Sequence, residues 1–397
     1  MSQDKKSVTS GSKRTKLSNL QVKSATPSIG SSMTETSKNA SHTISAVILA
    51  AGRGTRMKST LPKVLHPVMG RSMVEWVIDA AKKAGATDTT LVLSSETKPF
   101  ASVVAEHPDT KIAVQKSQRG TGDAVASAAM AYKNAKTPSW ASSELVSGTP
   151  SDADWLLICA GDTPAINAQT IRQFIQETIS SGRKLGVLGM IVPEPKGYGR
   201  LVKTSDGGLS HIVEERDADA AMKKITLCNS GVIFAKTSWI FELLEGISPN
   251  NSQMEYYLTD IFAGAVTRGE AAYVFETSAA SEFQGVNDRI QLEAVERAMM
   301  RQRLEGLMSH GVTIHLPHTV FIEADVVIEP DARIYPGAYL KGKTKISRNC
   351  VIGPQVVLED AALGAGVIVG AHAVVMRSSV SAGSKIPPQA VCSDQDF

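Results

Sequence analysis

The chain has 397 residues, of which 42% are hydrophobic and 20% charged, and it carries a net charge of +3. That length exceeds what one hydrophobic core usually serves, so the composition predicts a globular protein of about two domains. The charge is uneven: residues 1–43 hold seven Lys/Arg against two acids and the rest is slightly acidic, which excludes the basic face a nucleic-acid partner needs.

No run of about 18 apolar residues predicts a membrane span, and the N-terminus lacks the apolar core of a secretory signal. Cys159, Cys228, Cys350 and Cys392 stand far apart with no CxxC pair, as expected of reduced thiols in a cytoplasmic protein.

Residues 1–43 are rich in Ser, Thr and Lys and almost free of aromatics, so they read as a disordered tail that cannot bury enough apolar surface to offset its ordering entropy. From residue 44 to 285, short apolar runs alternate with amphipathic patterns. The strand candidates are 44–50, 90–95, 155–160 and 185–192. Val74, Val77, Ile78 and Ala81 repeat at helical spacing, and Gly85 is placed to end that helix. Alternation of this kind predicts an α/β domain with a mostly parallel sheet covered on both faces. The Ser- and Pro-rich stretch 136–154 reads as a surface insertion.

Residues 286–310 read as one long helix, within a connection assigned to 286–314. Beyond it, over 315–390, aliphatic residues recur every six positions at Ile322, Ile328, Ile334, Leu340, Ile346, Ile352 and Leu358. The rhythm slips by one residue to Leu363, Val369 and Val375, and by another to Val380 and Ile386. Period six with small residues between is the signature of a parallel β-helix built from hexapeptide repeats, here of about four coils. Residues 391–397 read as a closing tail. The β-helix is expected to stack and to form trimers rather than to carry chemistry.

The strongest local motif, Leu49–His66, follows the first strand, where a doubly wound sheet opens its ligand crevice. Gly52 and Gly54 allow a tight turn that brings amide groups against phosphate oxygens, and Arg56 and Lys63 add positive charge for a polyanion. A lone G-x-G is equally a plain strand–turn corner. The spacing G-x-G-T-R-M-x4-P-K narrows the reading, and it is neither a Walker loop nor a dinucleotide fingerprint.

With seven further motifs in order, residues 44 to about 314 resemble the uridyltransferase half of the bifunctional N-acetylglucosamine-1-phosphate uridyltransferase / glucosamine-1-phosphate acetyltransferase family. Those motifs are QKSQRGTGDAV (115–125), CAGDTPAI (159–166), GYGRLV (197–202), IVEERDA (212–218), NSGVIFA (229–235), EYYLTD (255–260) and EFQGVND (282–288). The resemblance implies a Rossmann-like nucleotidyltransferase domain followed by a short left-handed parallel β-helix.

It further implies that Leu49, Ala50, Ala51, Gly52, Gln115, Gly120 and Thr121 bind the nucleotide, with Gln115 reading the uracil. Arg56 and Lys63 are implied as catalytic cations. Gly199, Glu214, Asn229, Tyr257 and Thr259 are implied to grip an N-acetylhexosamine, and Asp162 with Asn287 to hold Mg²⁺. Taken alone, Asp162 could cap a helix and Glu214 could be a surface charge. The implied reaction converts UTP and N-acetylglucosamine 1-phosphate to UDP-N-acetylglucosamine and pyrophosphate, for cell-envelope precursors.

Two departures stand out. Ala160 occupies a position where the family usually has Tyr, which leaves the sugar preference open. The family's acetyltransferase half is a β-helix of about ten coils. Its essential His, Tyr, Lys and Asn find no match here; Arg377 is the only candidate for its arginine motif, and His372 is off position. The acetyltransferase half is therefore expected to be missing. Competing readings are another sugar 1-phosphate, a catalytically silent nucleotide-sugar scaffold, or a hexapeptide acyltransferase.

Overall fold

The computed structural model describes residues 42–52, 54–204 and 207–394. The expected disordered tail therefore lies outside the described residues up to Ser41. Thr43 is anchored: its backbone N–H and its hydroxyl donate to the Asp154 carboxylate at 3.0 and 2.9 Å.

The N-terminal part runs β1 (Ile44–Leu49), β2 (Pro67–Val68), β3 (Arg71–Ser72), α1 (Met73–Ala84), β4 (Asp88–Leu93), α2 (Ala101–Glu106), β5 (Thr110–Val114), α3 (Thr121–Ser127), β6 (Leu145–Ser147), β7 (Trp155–Ala160) and α4 (Ala168–Ser180). It continues with β8 (Leu185–Ile191), β9 (Arg200–Lys203), β10 (Leu209–Val213), β11 (Leu227–Lys236), α5 (Thr237–Glu245), α6 (Asp260–Thr267), β12 (Tyr273–Thr277) and the long helix α7 (Arg289–Ser309). Three of the four expected strands sit as read, whereas the second spans 88–93 rather than 90–95.

The sheet is mixed around a parallel centre. β7, β1, β4 and β5 pair in parallel, while β11 runs antiparallel to both β7 and β8, and β6 closes the far edge antiparallel to β5. The central strands read as unbroken apolar runs because both of their faces are covered. Ala46 and Ile48 pack with α1 and α4 on one side, and Val47 packs with α3, α5 and α6 on the other.

Helix α1 starts on a capping box between Ser72 and Glu75, whose carboxylate accepts the Ser72 backbone N–H at 2.8 Å. It ends at Gly85, whose φ of 122° suits glycine. Because β4 and β7 flank β1 on opposite sides, the strand order reverses at β1, and the loops leaving β1, β5 and β7 open into one crevice.

The expected insertion is only partly irregular, since Leu145–Ser147 adds an edge strand. The expected helix 286–310 begins later, at Arg289, where the Asp288 side chain accepts the Gln291 N–H at 2.8 Å. Asp288 wins this boundary because a capping carboxylate satisfies an otherwise unpaired amide, leaving residues 286–288 outside the helix.

Beyond α7, short parallel strands stack on three faces, five strands on two of them and four on the third. This is the stacked arrangement of a left-handed parallel β-helix, with nearly five coils where about four were expected. All twelve residues of the six-residue rhythm are buried. The first slip is visible in the register: Leu340 pairs with Leu358, whereas Ile346 pairs with Leu363, so one coil is a residue shorter. Val391–Ser393, expected in the closing tail, forms the last strand by pairing with Val374–Met376.

The β2–β3 hairpin ties the sheet domain to the coils. Met69 accepts the Ala324 N–H at 2.9 Å through its carbonyl, Arg71 pairs with Asp325, and Val68, Met69 and Met73 share one apolar core with α7 and the coil interior.

Candidate active site

A cavity of about 590 Å³ opens at the carboxyl ends of the parallel strands. Its walls include Leu49, Ala50, Ala51, Gly52 and Lys63 from the first motif, Gln115, Gly120 and Thr121 from the second, and Ala160 and Asp162 from the loop after β7. All seven residues expected at the nucleotide therefore line one cavity.

Among its described residues the glycine-rich loop makes no α-helix of its own. It turns through a short 3-10 segment, Thr55–Met57, so any phosphate cradle relies on loop amides and side-chain cations rather than on a helix dipole. Gly54 sits at φ 57°, and a Cβ there would lie 2.6 Å from Lys63 Cβ. By contrast nothing lies within 4 Å of a Cβ built on Gly52, so the open side of that residue faces space a ligand could use.

Lys63 and Asp162 line the cavity, and Asn287 meets them from just outside its lining. Lys63 Nζ donates to Asp162 Oδ2 in an ion pair and to Asn287 Oδ1 at 3.3 Å. Arg56 Nη2 donates to the same Asn287 oxygen at 2.8 Å. The backbone holds this meeting in place. Gly161 donates its N–H to Leu49 O at 2.9 Å, Val286 donates to Asp162 O at 2.9 Å, and Asn287 donates to the Gln291 side chain at 2.7 Å.

Gln115 is buried, and its Nε2 donates to Asp123 Oδ2 at 2.9 Å and to Gly120 O at 3.1 Å. Those bonds orient the amide and leave its oxygen as an acceptor.

The five residues expected at the sugar form a second cluster. Thr259 donates its hydroxyl to Glu214 Oε1 at 3.1 Å, and Asn229 donates its backbone N–H to Gly199 O at 2.8 Å. A Cβ on Gly199 would lie 3.3 Å from Glu214 Oε2, so the missing side chain lets that carboxylate approach. Burial pushes the Glu214 carboxyl above its ordinary value, opposed by the Thr259 bond and reinforced by the nearby Asp260 and Asp217 charges. Burial also raises the Tyr257 phenol, whose oxygen accepts from Gln253 Nε2 at 2.6 Å.

Residues 255–259 join this cluster to the cavity. Glu255 lines it, Tyr256 donates its N–H to Arg119 O at 2.7 Å, and Leu258 donates to Thr121 Oγ1 at 3.1 Å.

Three contributors went unnoticed in the sequence. Gln118 donates Nε2 to Ala51 O at 2.6 Å, linking the first two motifs across the cavity. Arg119 pairs with Asp123 at 2.7 Å and lies over the rings of Tyr256 and Trp140. Trp140, from the supposed surface insertion, stacks on Tyr256 with ring centroids 3.9 Å apart and an angle of 5°. Gln118 and Arg119 were within a quoted motif; the only signal for Trp140 was a tryptophan among polar residues.

Comparison with known proteins identifies the family. Residues 46–212 match the family described as MobA-like NTP transferase domain. The bifunctional protein GlmU of Geotalea uraniireducens is 35% identical over 347 residues, covering 87% of this chain and 72% of the relative. The chain belongs to the GlmU family. Other GlmU relatives agree: that of Clostridioides difficile is 37% identical over 345 residues, covering 87% and 71% of the two chains. That of Caldanaerobacter subterraneus is 38% identical over 344 residues, covering 86% and 70%. Membership makes the protein a nucleotidyltransferase, with a nucleotide and a sugar phosphate as its substrate classes. None of the described helices is long and apolar enough to cross a membrane.

Proposed function

We propose that this protein transfers a uridylyl group from UTP to N-acetylglucosamine 1-phosphate, releasing pyrophosphate. The observation that carries the reading is the meeting of Lys63, Asp162 and Asn287 beside a cavity lined by Lys63, Asp162, the glycine loop and Gln115.

In this reaction a phosphate oxygen of the sugar attacks the α-phosphorus of UTP as the bond to the leaving pyrophosphate breaks. The attacking oxygen is already ionised, so no general base is needed, and the barrier is the approach of two anions. Lys63 and Arg56 neutralise the triphosphate and the departing pyrophosphate. The Gln115 amide oxygen accepts the N3–H of uracil. Cytosine presents an acceptor there, so CTP is disfavoured. Gly199, Glu214, Asn229, Tyr257 and Thr259 receive the N-acetylhexosamine, with the small Ala160 side chain leaving room beside Asp162.

Asp162 and Asn287 would hold Mg²⁺. The donor set suits it: one carboxylate and one amide oxygen, both hard, already converge on a single cation, the Lys63 ammonium. When bound, Mg²⁺ supplies charge neutralisation at the phosphate oxygens.

Acetyl transfer is assigned to none of the described residues. Arg377 is committed to Asp394, with bonds of 2.7 and 2.8 Å, and His372 occupies a coil corner with φ 61°. A homotrimer through the β-helix faces is also proposed, and light scattering should then give three times the chain mass.

The decisive experiment supplies Mg²⁺, a panel of nucleoside triphosphates and several sugar 1-phosphates, and follows pyrophosphate. UTP with N-acetylglucosamine 1-phosphate should be the best pair. Asp162→Asn should lower the rate roughly a hundred- to a thousand-fold while the protein stays folded. Acetyl-CoA with glucosamine 1-phosphate should release no thiol. Failure of every pair to release pyrophosphate would leave the scaffold reading in its place.

A further inference from the structure

Two of the oxygens that would meet a divalent ion, Asn287 Oδ1 and Asp162 Oδ2, are already engaged. Asn287 Oδ1 accepts from both Lys63 Nζ, at 3.3 Å, and Arg56 Nη2, at 2.8 Å. An amide oxygen has two lone pairs, so both are in use. The Lys63 ammonium also lies on Asp162 Oδ2, and both side chains of that pair are largely shielded, at 14% and 19% exposure. A metal that takes both oxygens must therefore displace at least one cation. Lys63 is the one that holds both. Its stem lies close against Gly54, and the residue lines the cavity where phosphate oxygens could receive its ammonium.

We propose that Lys63 is a resident counter-cation that exchanges with the divalent metal. In the metal-free enzyme its ammonium keeps Asp162 and Asn287 together and offsets the charge of the shielded carboxylate, which would otherwise stand unpaired. Metal loading turns the ammonium out of the oxygen pair and into the cavity, where it meets the triphosphate. The same lysine thus opposes metal binding before nucleotide arrives and assists phosphate binding afterwards, which couples the two ligands. This rests on the metal reading of Asp162 and Asn287 given above.

The test measures Mn²⁺ binding to the nucleotide-free full chain by electron paramagnetic resonance, with no turnover required. Lys63→Met should bind Mn²⁺ roughly ten-fold more tightly than wild type, because the competing cation is gone. Lys63→Arg, which keeps a cation at the oxygens, should bind close to wild type. Asp162→Asn should bind weakly in every background. If Lys63→Met binds no more tightly than wild type while Asp162→Asn still abolishes binding, the exchange is wrong and the metal reading stands. If Mn²⁺ binding ignores Asp162→Asn, the metal reading itself fails. Should Lys63→Met not fold, Lys63→Gln replaces it in the same comparison with Lys63→Arg, and the same outcomes apply.

Discussion

Val286 donates its backbone N–H to the carbonyl oxygen of Asp162 at 2.9 Å, joining the stretch ahead of α7 to the loop after β7. The residue before it is Gly285, and a Cβ there would stand 3.5 Å from Asp162 Oδ1. A backbone bond fixes this meeting of distant segments more firmly than side chains alone could, because it involves no rotamer freedom. Asn287 follows directly, and so its amide oxygen reaches the Lys63 ammonium that also holds Asp162.

The two loop glycines should behave differently. Gly54→Ala forces a left-handed φ on a side chain that would also meet Lys63 Cβ at 2.6 Å. It should cost about 2 kcal/mol by urea unfolding and move Lys63 enough to slow pyrophosphate release at least about ten-fold. Gly52→Ala meets no atom within 4 Å beyond its own chain neighbours, so it should leave stability unchanged while raising KM for UTP. Equal losses of stability in the two variants would contradict this division.

Trp140→Ala should act on the nucleotide side from outside the cavity. The indole stacks on Tyr256 and donates Nε1 to Leu244 O at 3.1 Å, while Tyr256 takes part in the backbone bonds that hold the Gly120 turn. Loss of the stack should destabilise by about 1 kcal/mol beyond the buried area. KM for UTP should rise several-fold with kcat little changed. Trp140→Phe should restore most of both, and a variant whose kcat falls instead would point to a role in the chemical step.

Glu214 predicts a pH dependence of stability. Burial raises its folded-state pKa above that of the unfolded chain, so the fold retains the proton where the unfolded chain has released it. The stabilisation from this group is complete below the ordinary carboxylate range and is lost as pH rises through the raised folded value. Melting temperatures of wild type and Glu214→Gln, taken from about pH 4 to about pH 8, should therefore diverge. The Gln variant, having no proton to lose, should show the smaller decline; parallel curves would show that Glu214 titrates normally.

Much of the architecture was legible because each element imposes a period on its own sequence. Continuous apolar runs mark strands buried on both faces, and the helical spacing of Val74, Val77, Ile78 and Ala81 with Gly85 beyond it marks α1 and its end. The six-residue rhythm marks the coil interior. Boundaries were less legible where local capping competes with periodicity. Residues 286–310 looked helical throughout, yet Asp288 capped the helix and released Asn287 to the site. What the insertion contributes was not legible for a related reason: Trp140 carries no periodic signal, and its stacking partner Tyr256 lies 116 positions away.

By itself, then, the sequence determined the α/β domain, the coiled C-terminal stack and a glycine-rich loop at the end of β1, all of which follow from local pattern and backbone chemistry. Only the tertiary structure decided that Lys63 meets Asp162 across 99 positions and Asn287 across 224. It also decided that the single Lys63 ammonium reaches side-chain oxygens of both residues. Such contacts are set by which loops leave the same edge of a parallel sheet, and chain order leaves no periodic trace of that choice.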